Sequence, residues 1–197
     1  MDDAPPQPQP ESHPHPRPMR ADARRNYEHI VATARTAFAE LGPEAPLDVV
    51  ARRAGVGPGT LYRHFPTREV LIAAVYGPDI AALAAHAAGL AEREAPGAAL
   101  ERWVREHLVD ALGQHGIATT LRTALARAPE ILQPHKDRFM DATETLVGAA
   151  QEAGTVRRDI ETRDILRLVH GVAAASADSP SARTRMLRVL FDGLRPA

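Results

Sequence analysis

The chain has 197 residues, no cysteine, 24 Lys and Arg against 25 Asp and Glu, and a formal net charge of −1. That length suits one helical body with a small attached domain, and the missing thiols exclude disulfides, thiolate metal sites and a cysteine nucleophile. The near-zero charge excludes a polycation, so any contact with nucleic acid must rest on local placement of charge.

No stretch reaches the roughly 18–20 uninterrupted apolar residues of a membrane span. The N-terminus lacks the apolar centre of a secretory signal. Both point to the cytosol, with no membrane partner. Lys136 is the only lysine, so arginine richness by itself carries little weight.

Residues 1–20 (PPQPQPESHPHPRP within them) hold few apolar side chains to offset ordering entropy and are expected to form a disordered tail. Two other readings stand beside it: His13 and His15 as metal ligands, or Arg17 and Arg20 as an arm brushing DNA. Helical periodicity starts with Asp22 as N-cap. Tyr27, Ile30, Val31, Ala34, Phe38 and Leu41 share one face, and Gly42-Pro43 ends the helix. A second helix runs from about Pro46 to Ala54, Gly55-Val56-Gly57 turns, and a third helix covers Pro58 to Phe65 before Pro66 stops it. Thr67 then caps a fourth helix from Arg68.

From there the pattern stays helical, with breaks at Gly77-Pro78, Ala95-Pro96-Gly97, Gly113 to Gly116, Pro129, Gly154 and Ser179-Pro180. No alternating strand pattern and no repeat occurs. The predicted fold is all-α: a tail at 1–20, a three-helix helix-turn-helix head at 21–67, and a helical body at 68–197 that opens with helix four.

The third helix carries the sharpest functional signal. At about 100° per residue, Pro58, Leu61 and Phe65 fall together toward the head's core. Gly59, Thr60 and Arg63 fall opposite, with Tyr62 and His64 on the flanks. Small residues allow close approach to a major groove, arginine can donate two hydrogen bonds to guanine, and threonine can meet a base or a phosphate. The tyrosine hydroxyl and the imidazole suit backbone phosphates. Ala51 is small where two helices cross, and Gly55 supplies a positive φ for the turn. Arg68, in the first turn of helix four, can share a phosphate with backbone N–H groups, although a cation there opposes the helix dipole. The bland alternative is a small helical hairpin with a polar face.

The stretch from Ile30 to Tyr76, with AGVGPGTLYRHFPTREVL, resembles the N-terminal DNA-binding domain of the TetR family of bacterial regulators. The resemblance implies a homodimer on a near-palindromic double-stranded operator, usually a repressor released by a small molecule. It implies Thr60, Tyr62, Arg63, His64 and Arg68 as DNA-contacting residues, with Pro58 and Gly59 near the groove. The chain departs from the family in two places. Ala45-Pro46-Leu47 offers no hydroxyl to cap helix two or touch phosphate, and Gly77-Pro78 interrupts helix four, as a tolerated kink or as a hinge relaying ligand binding.

In the body, helices near Ala98–Leu112 and Asp137–Ala153 carry most of the large side chains. Trp103, His107 and Phe139 either line a ligand pocket, with Arg122 and Glu144 as polar contacts, or form core. The last two helices read as a dimer interface that pairs into a four-helix bundle. Its first face is Ile165, Leu168, Val169, Val172 and Ala173; its second is Met186, Leu187, Val189, Leu190 and Leu194.

An enzyme is the rival from another class. The sequence has no G-x-S-x-G, H-E-x-x-H, P-loop or G-x-G-x-x-G, so no cofactor is expected. Ser176, Asp178, Ser179 and His170 are near in sequence without a triad's order, and the histidines lack metal-ligand spacing. An activator or a ligand-independent DNA-binding protein is the alternative within DNA binding.

Overall fold

The computed structural model describes residues 17–42, 44–108, 126–176 and 178–196, without the side chains of 17–21, His107 and Leu108. Among the described residues all regular structure is helical. The helices are α1 (Arg17–Leu41), α2 (Leu47–Arg53), α3 (Pro58–His64), α4 (Arg68–Arg93), α5 (Pro96–Trp103) continued by a π-helical turn (Val104–Leu108), α6 (Pro129–Glu152), α7 (Thr162–Ala175) and α8 (Pro180–Leu194). The all-α class holds.

Several helix ends follow the local chemistry expected of them. Gly42 closes α1 at φ 80°, Gly55 makes the α2–α3 turn at φ 63°, and Gly154 ends α6 at φ 69°, all in the left-handed region where a Cβ is penalised. The Thr67 hydroxyl accepts from the Val70 N–H at 3.3 Å, and Ser179 accepts from the Ala182 N–H at 3.3 Å. Each satisfies a donor that the first turn leaves open. Pro96, Pro129 and Pro180 open α5, α6 and α8, where a missing N–H costs nothing.

Other ends differ. Helix α1 begins at Arg17, with Asp22 inside it. Of the expected tail, 17–20 are therefore helical, and 1–16, with His13 and His15, lie outside the described residues. The break expected at Gly113 to Gly116 and the side chain of Arg122 lie outside them too.

Helix α4 corrects the expectation of an interruption at Gly77-Pro78: it is continuous from Arg68 to Arg93 with Pro78 inside. Proline removes the N–H that would bond the carbonyl of Ala74. One residue on, the Val75 carbonyl accepts from the Arg35 guanidinium of α1. Arg35 also donates to Asp79 at 2.6 Å and lies 5.6 Å from the centre of the Tyr76 ring. Burial pushes the Tyr76 hydroxyl pKa up, against the neighbouring Arg35 charge. Gly77 is buried because α6 crosses there: a Cβ on it would meet the His135 imidazole at 2.7 Å.

Two apolar cores flank this crossing. The head core gathers Ile30, Ala34 and Phe38 of α1, Val50 and Ala51 of α2, Leu61 and Phe65, and Leu71, Ile72, Val75 and Tyr76 of α4, with Leu132 of α6. The body core gathers Leu90, Leu100, Trp103, Leu146, Val147, Ile165, Val169 and Leu187. Helix α4 is long and apolar enough to cross a membrane by length and composition, which counting uninterrupted runs does not reveal. Its apolar residues pack instead, Leu71 to Tyr76 into the head and Ala87 and Leu90 into the body.

Candidate nucleic-acid interface

Helix α3 is held by two anchors on one side. Leu61 and Phe65 are fully buried, and Phe65 also stacks on Tyr27 of α1 at 4.9 Å between ring centres. The turn before α3 is closed by the Val56 N–H donating to the Ala51 carbonyl at 3.0 Å, with Ala51 buried at the α2–α3 crossing. These contacts turn the opposite side outward. Gly59, Tyr62 and Arg63 are exposed, and Thr60 and His64 are half-buried.

Pro58 is exposed, which corrects its expected place in the core. It is the first residue of the helix, before α3 has turned far enough onto the head to cover it. Its exposure sits beside that of Gly59, where an added Cβ would meet nothing within 4 Å. Glycine weakens a helix by about 1 kcal/mol against alanine. No internal close approach requires one at position 59, so the smallness there serves the outer side.

Helix α2 opens without a side-chain cap: Pro46 precedes it with φ −60° and ψ 130°, as the missing hydroxyl implied. Arg68 is where structure adds most. Its Nη1 donates to the Ala45 carbonyl at 2.6 Å, tying the loop before α2 to the start of α4. A phosphate contact by Arg68 would be made alongside that bond or in exchange for it.

Sequence reasoning missed the seat of His64. Tyr27 meets it edge-on, ring centres 6.1 Å apart at 72°, which sets the imidazole at the border of the outward face. An aromatic on the core-facing stripe of α1 was the available signal, but nothing local links position 27 to position 64.

In the body, Trp103 is buried and its indole N–H donates to the Leu83 carbonyl at 3.1 Å; Phe139 is half-buried against it at 5.8 Å. The pair forms part of the body core. Glu144 is exposed on α6. The side chain of His107 lies outside the described residues.

The two apolar faces of α7 and α8 are each divided. Ile165, Val169, Ala173, Leu187 and Leu194 pack inward. Leu168 is 49% and Val189 73% exposed, and with Val172, Met186, Leu190 and Arg185 they line an open apolar groove. Of the serines, Ser176 is buried and donates to the Val172 carbonyl at 2.6 Å, and Ser179 is the α8 cap, so neither is held as a nucleophile. Among the described residues no group of three His, Asp or Glu is placed to hold a metal.

A family model described as bacterial regulatory proteins of the tetR family matches residues 30–75. A second, for the C-terminal domain of SbtR-like transcriptional regulators, matches residues 95–196. The chain belongs to the TetR family of bacterial regulators. A TetR transcriptional regulator from Streptomyces coelicolor is 37% identical to it, over 87% of this chain and 99% of that one, with a TM-score of 0.60. A TetR regulatory protein from Mycobacterium vanbaalenii is 36% identical over 91% and 100%, with a TM-score of 0.57. The HTH-type transcriptional regulator UidR of Escherichia coli K12 is 27% identical over 91% of this chain and 97% of its own length. The protein is thus a DNA-binding transcription regulator and not an enzyme. The N-terminal match begins at Ile30, so thirteen residues of α1, Arg17 to His29, precede it.

Proposed function

We propose that the protein is a cytosolic homodimeric repressor that binds a palindromic operator through α3 and is released by a small molecule. The observation that carries the reading is the two-sided build of α3. Leu61 and Phe65 are fully buried, while Gly59, Tyr62 and Arg63 are exposed on the other side. On this reading Arg63 and Thr60 contact base edges, Pro58 and Gly59 let the helix approach the groove floor, and Tyr62 and His64 bind phosphates. Arg68 adds a phosphate contact at the start of α4.

Two heads are needed because one short helix reads too few base pairs. The groove of Leu168, Val172, Met186, Val189 and Leu190 is the surface offered for pairing. Apolar residues this exposed on adjoining helices mark an interaction site, and a two-fold axis through them would join α7 and α8 to their copies. Ile165, Val169 and Leu187 support that face from behind. The effector would bind in the body beside Trp103, Phe139 and His107.

Selection of bound duplexes from a random pool, repeated with each member of a metabolite panel, tests the reading. The expected result is one palindromic sequence, bound by the dimer and lost with one class of metabolite. Arg63→Ala should reduce the preference for that sequence over random DNA by about 1–3 kcal/mol, the worth of a bidentate base contact. A pool that yields no enriched sequence would remove the operator, and enrichment indifferent to every metabolite would leave a ligand-independent regulator.

A further inference from the structure

A proline inside a helix withdraws one hydrogen bond and crowds the carbonyl four residues back, which bends or weakens the helix there. Pro78 lies inside α4. Before it, Leu71 to Tyr76 pack into the head core; after it, Ala87 and Leu90 pack into the body core. The weak turn of α4 therefore falls between the two halves of the molecule.

Side chains from two other helices grip that turn. Arg35 of α1 donates from Nη2 to the Val75 carbonyl and from Nη1 to the Asp79 carboxylate at 2.6 Å. Val75 and Asp79 lie one turn apart on the same face, about 40° from each other. One guanidinium thus holds α4 on both sides of Pro78, with the Tyr76 ring 5.6 Å away. Gly77 falls about 180° from the midpoint of those two positions, and there a Cβ would meet the His135 imidazole of α6 at 2.7 Å. The turn is held from opposite sides, by α1 and by α6.

In a dimer, the bend of α4 at this turn sets how far apart the two reading helices stand. From Arg68 to Pro78 is about 15 Å of helix, so a bend of about 10° carries the start of α4 by about 3 Å. That is close to the roughly 3.4 Å between successive base pairs.

We propose that Arg35 is a positioning residue for operator binding: it locks α4 across Pro78 and so fixes the half-site spacing that the dimer accepts. This inference rests on the reading of the protein as a dimer that binds a palindrome.

The test compares the full chain with Arg35→Gln, Pro78→Ala and the two combined. Binding is measured by fluorescence anisotropy on the selected palindrome, on the same duplex with one base pair added or removed between the half-sites, and on a single half-site. Wild type should lose about tenfold or more on the altered spacings, where both heads cannot engage together. Arg35→Gln should narrow that gap by about fivefold, the upper end of what a half-exposed ion pair contributes. Affinity for the single half-site should not change. Pro78→Ala restores the missing N–H, so in its background Arg35→Gln should leave the spacing preference as it was. Hydrogen exchange of the DNA-free protein reads the turn directly. Peptides spanning 74–82 should exchange faster in Arg35→Gln and return to the wild-type rate in the double variant.

An unchanged spacing profile, or unchanged exchange, in Arg35→Gln would overturn the lock. A flattened profile that persists in the Pro78→Ala background, or a loss shared by the single half-site, would assign Arg35 to the stability of the head and overturn it too. If no palindrome is enriched, the dimeric reading falls and the spacing role with it, while exchange still shows whether Arg35 holds the turn.

Discussion

In the head, α2 and α3 tuck their branched aliphatic side chains in: Leu47, Val50 and Leu61 are buried and Val49 is half-buried, with Pro58 exposed at the start of α3. In the last two helices of the body, Leu168 and Val189 stand in the open beside a groove of further apolar residues. The head closes its own core, with Leu41 at the end of α1 and the hydroxyl-bearing Tyr27 and Tyr62 exposed around it. The body closes a core and still has apolar surface to cover. A domain can be complete as a folded unit and still offer an apolar groove at its surface, and here the groove lined by Leu168, Met186, Val189 and Leu190 lies in the body.

Breaking the body's side of that contrast should have the largest effect. Leu168→Glu with Leu190→Glu puts charge on the open groove, where burial against a second chain would strand it without a partner. Sedimentation should show monomers, and operator binding should fall with dimerisation. A variant that still sediments as a dimer would place the interface elsewhere.

Gly77→Ala sharpens the boundary between the two halves. The added methyl meets the His135 ring at 2.7 Å, and overpacking of this kind costs about 1–3 kcal/mol. A lowered thermal midpoint is expected, recovered at least partly by adding His135→Ala, which removes the opposing ring. If the single variant is as stable as wild type, the crossing of α4 and α6 yields more easily than its spacing suggests.

Thr67→Ala touches the head alone and is the mildest change. Losing the bond to the Val70 N–H should destabilise by about 1 kcal/mol, read as a small drop in midpoint. Dimer assembly should be unaffected, and a change in sedimentation would mean that the two regions are coupled more tightly than their separate cores imply.

The head was legible because its chemistry is local. The positive φ of Gly55, the Thr67 cap, the stop at Pro66 and the inward set of Leu61 and Phe65 each follow from residues within a turn or two of one another. Spacing alone also placed the outward side of α3, apart from Pro58.

Pairings across long stretches of chain needed the folded molecule, because helical periodicity says which face is apolar and nothing about what meets it. Arg35 bracing α4 past Pro78, His135 filling the space over Gly77, and Leu132 of α6 entering the head core are all of that kind. So is Arg68. Its position suggested a phosphate, yet its guanidinium holds the Ala45 carbonyl, a partner twenty-three residues away in sequence. The same holds for α7 and α8. Composition marks both helices as apolar, but only their packing separates Ile165, Val169 and Leu187, which close the chain's own core, from Leu168 and Val189, which do not. A helix wide in apolar surface can serve two neighbours, and three-dimensional contact alone assigns each side chain to one of them.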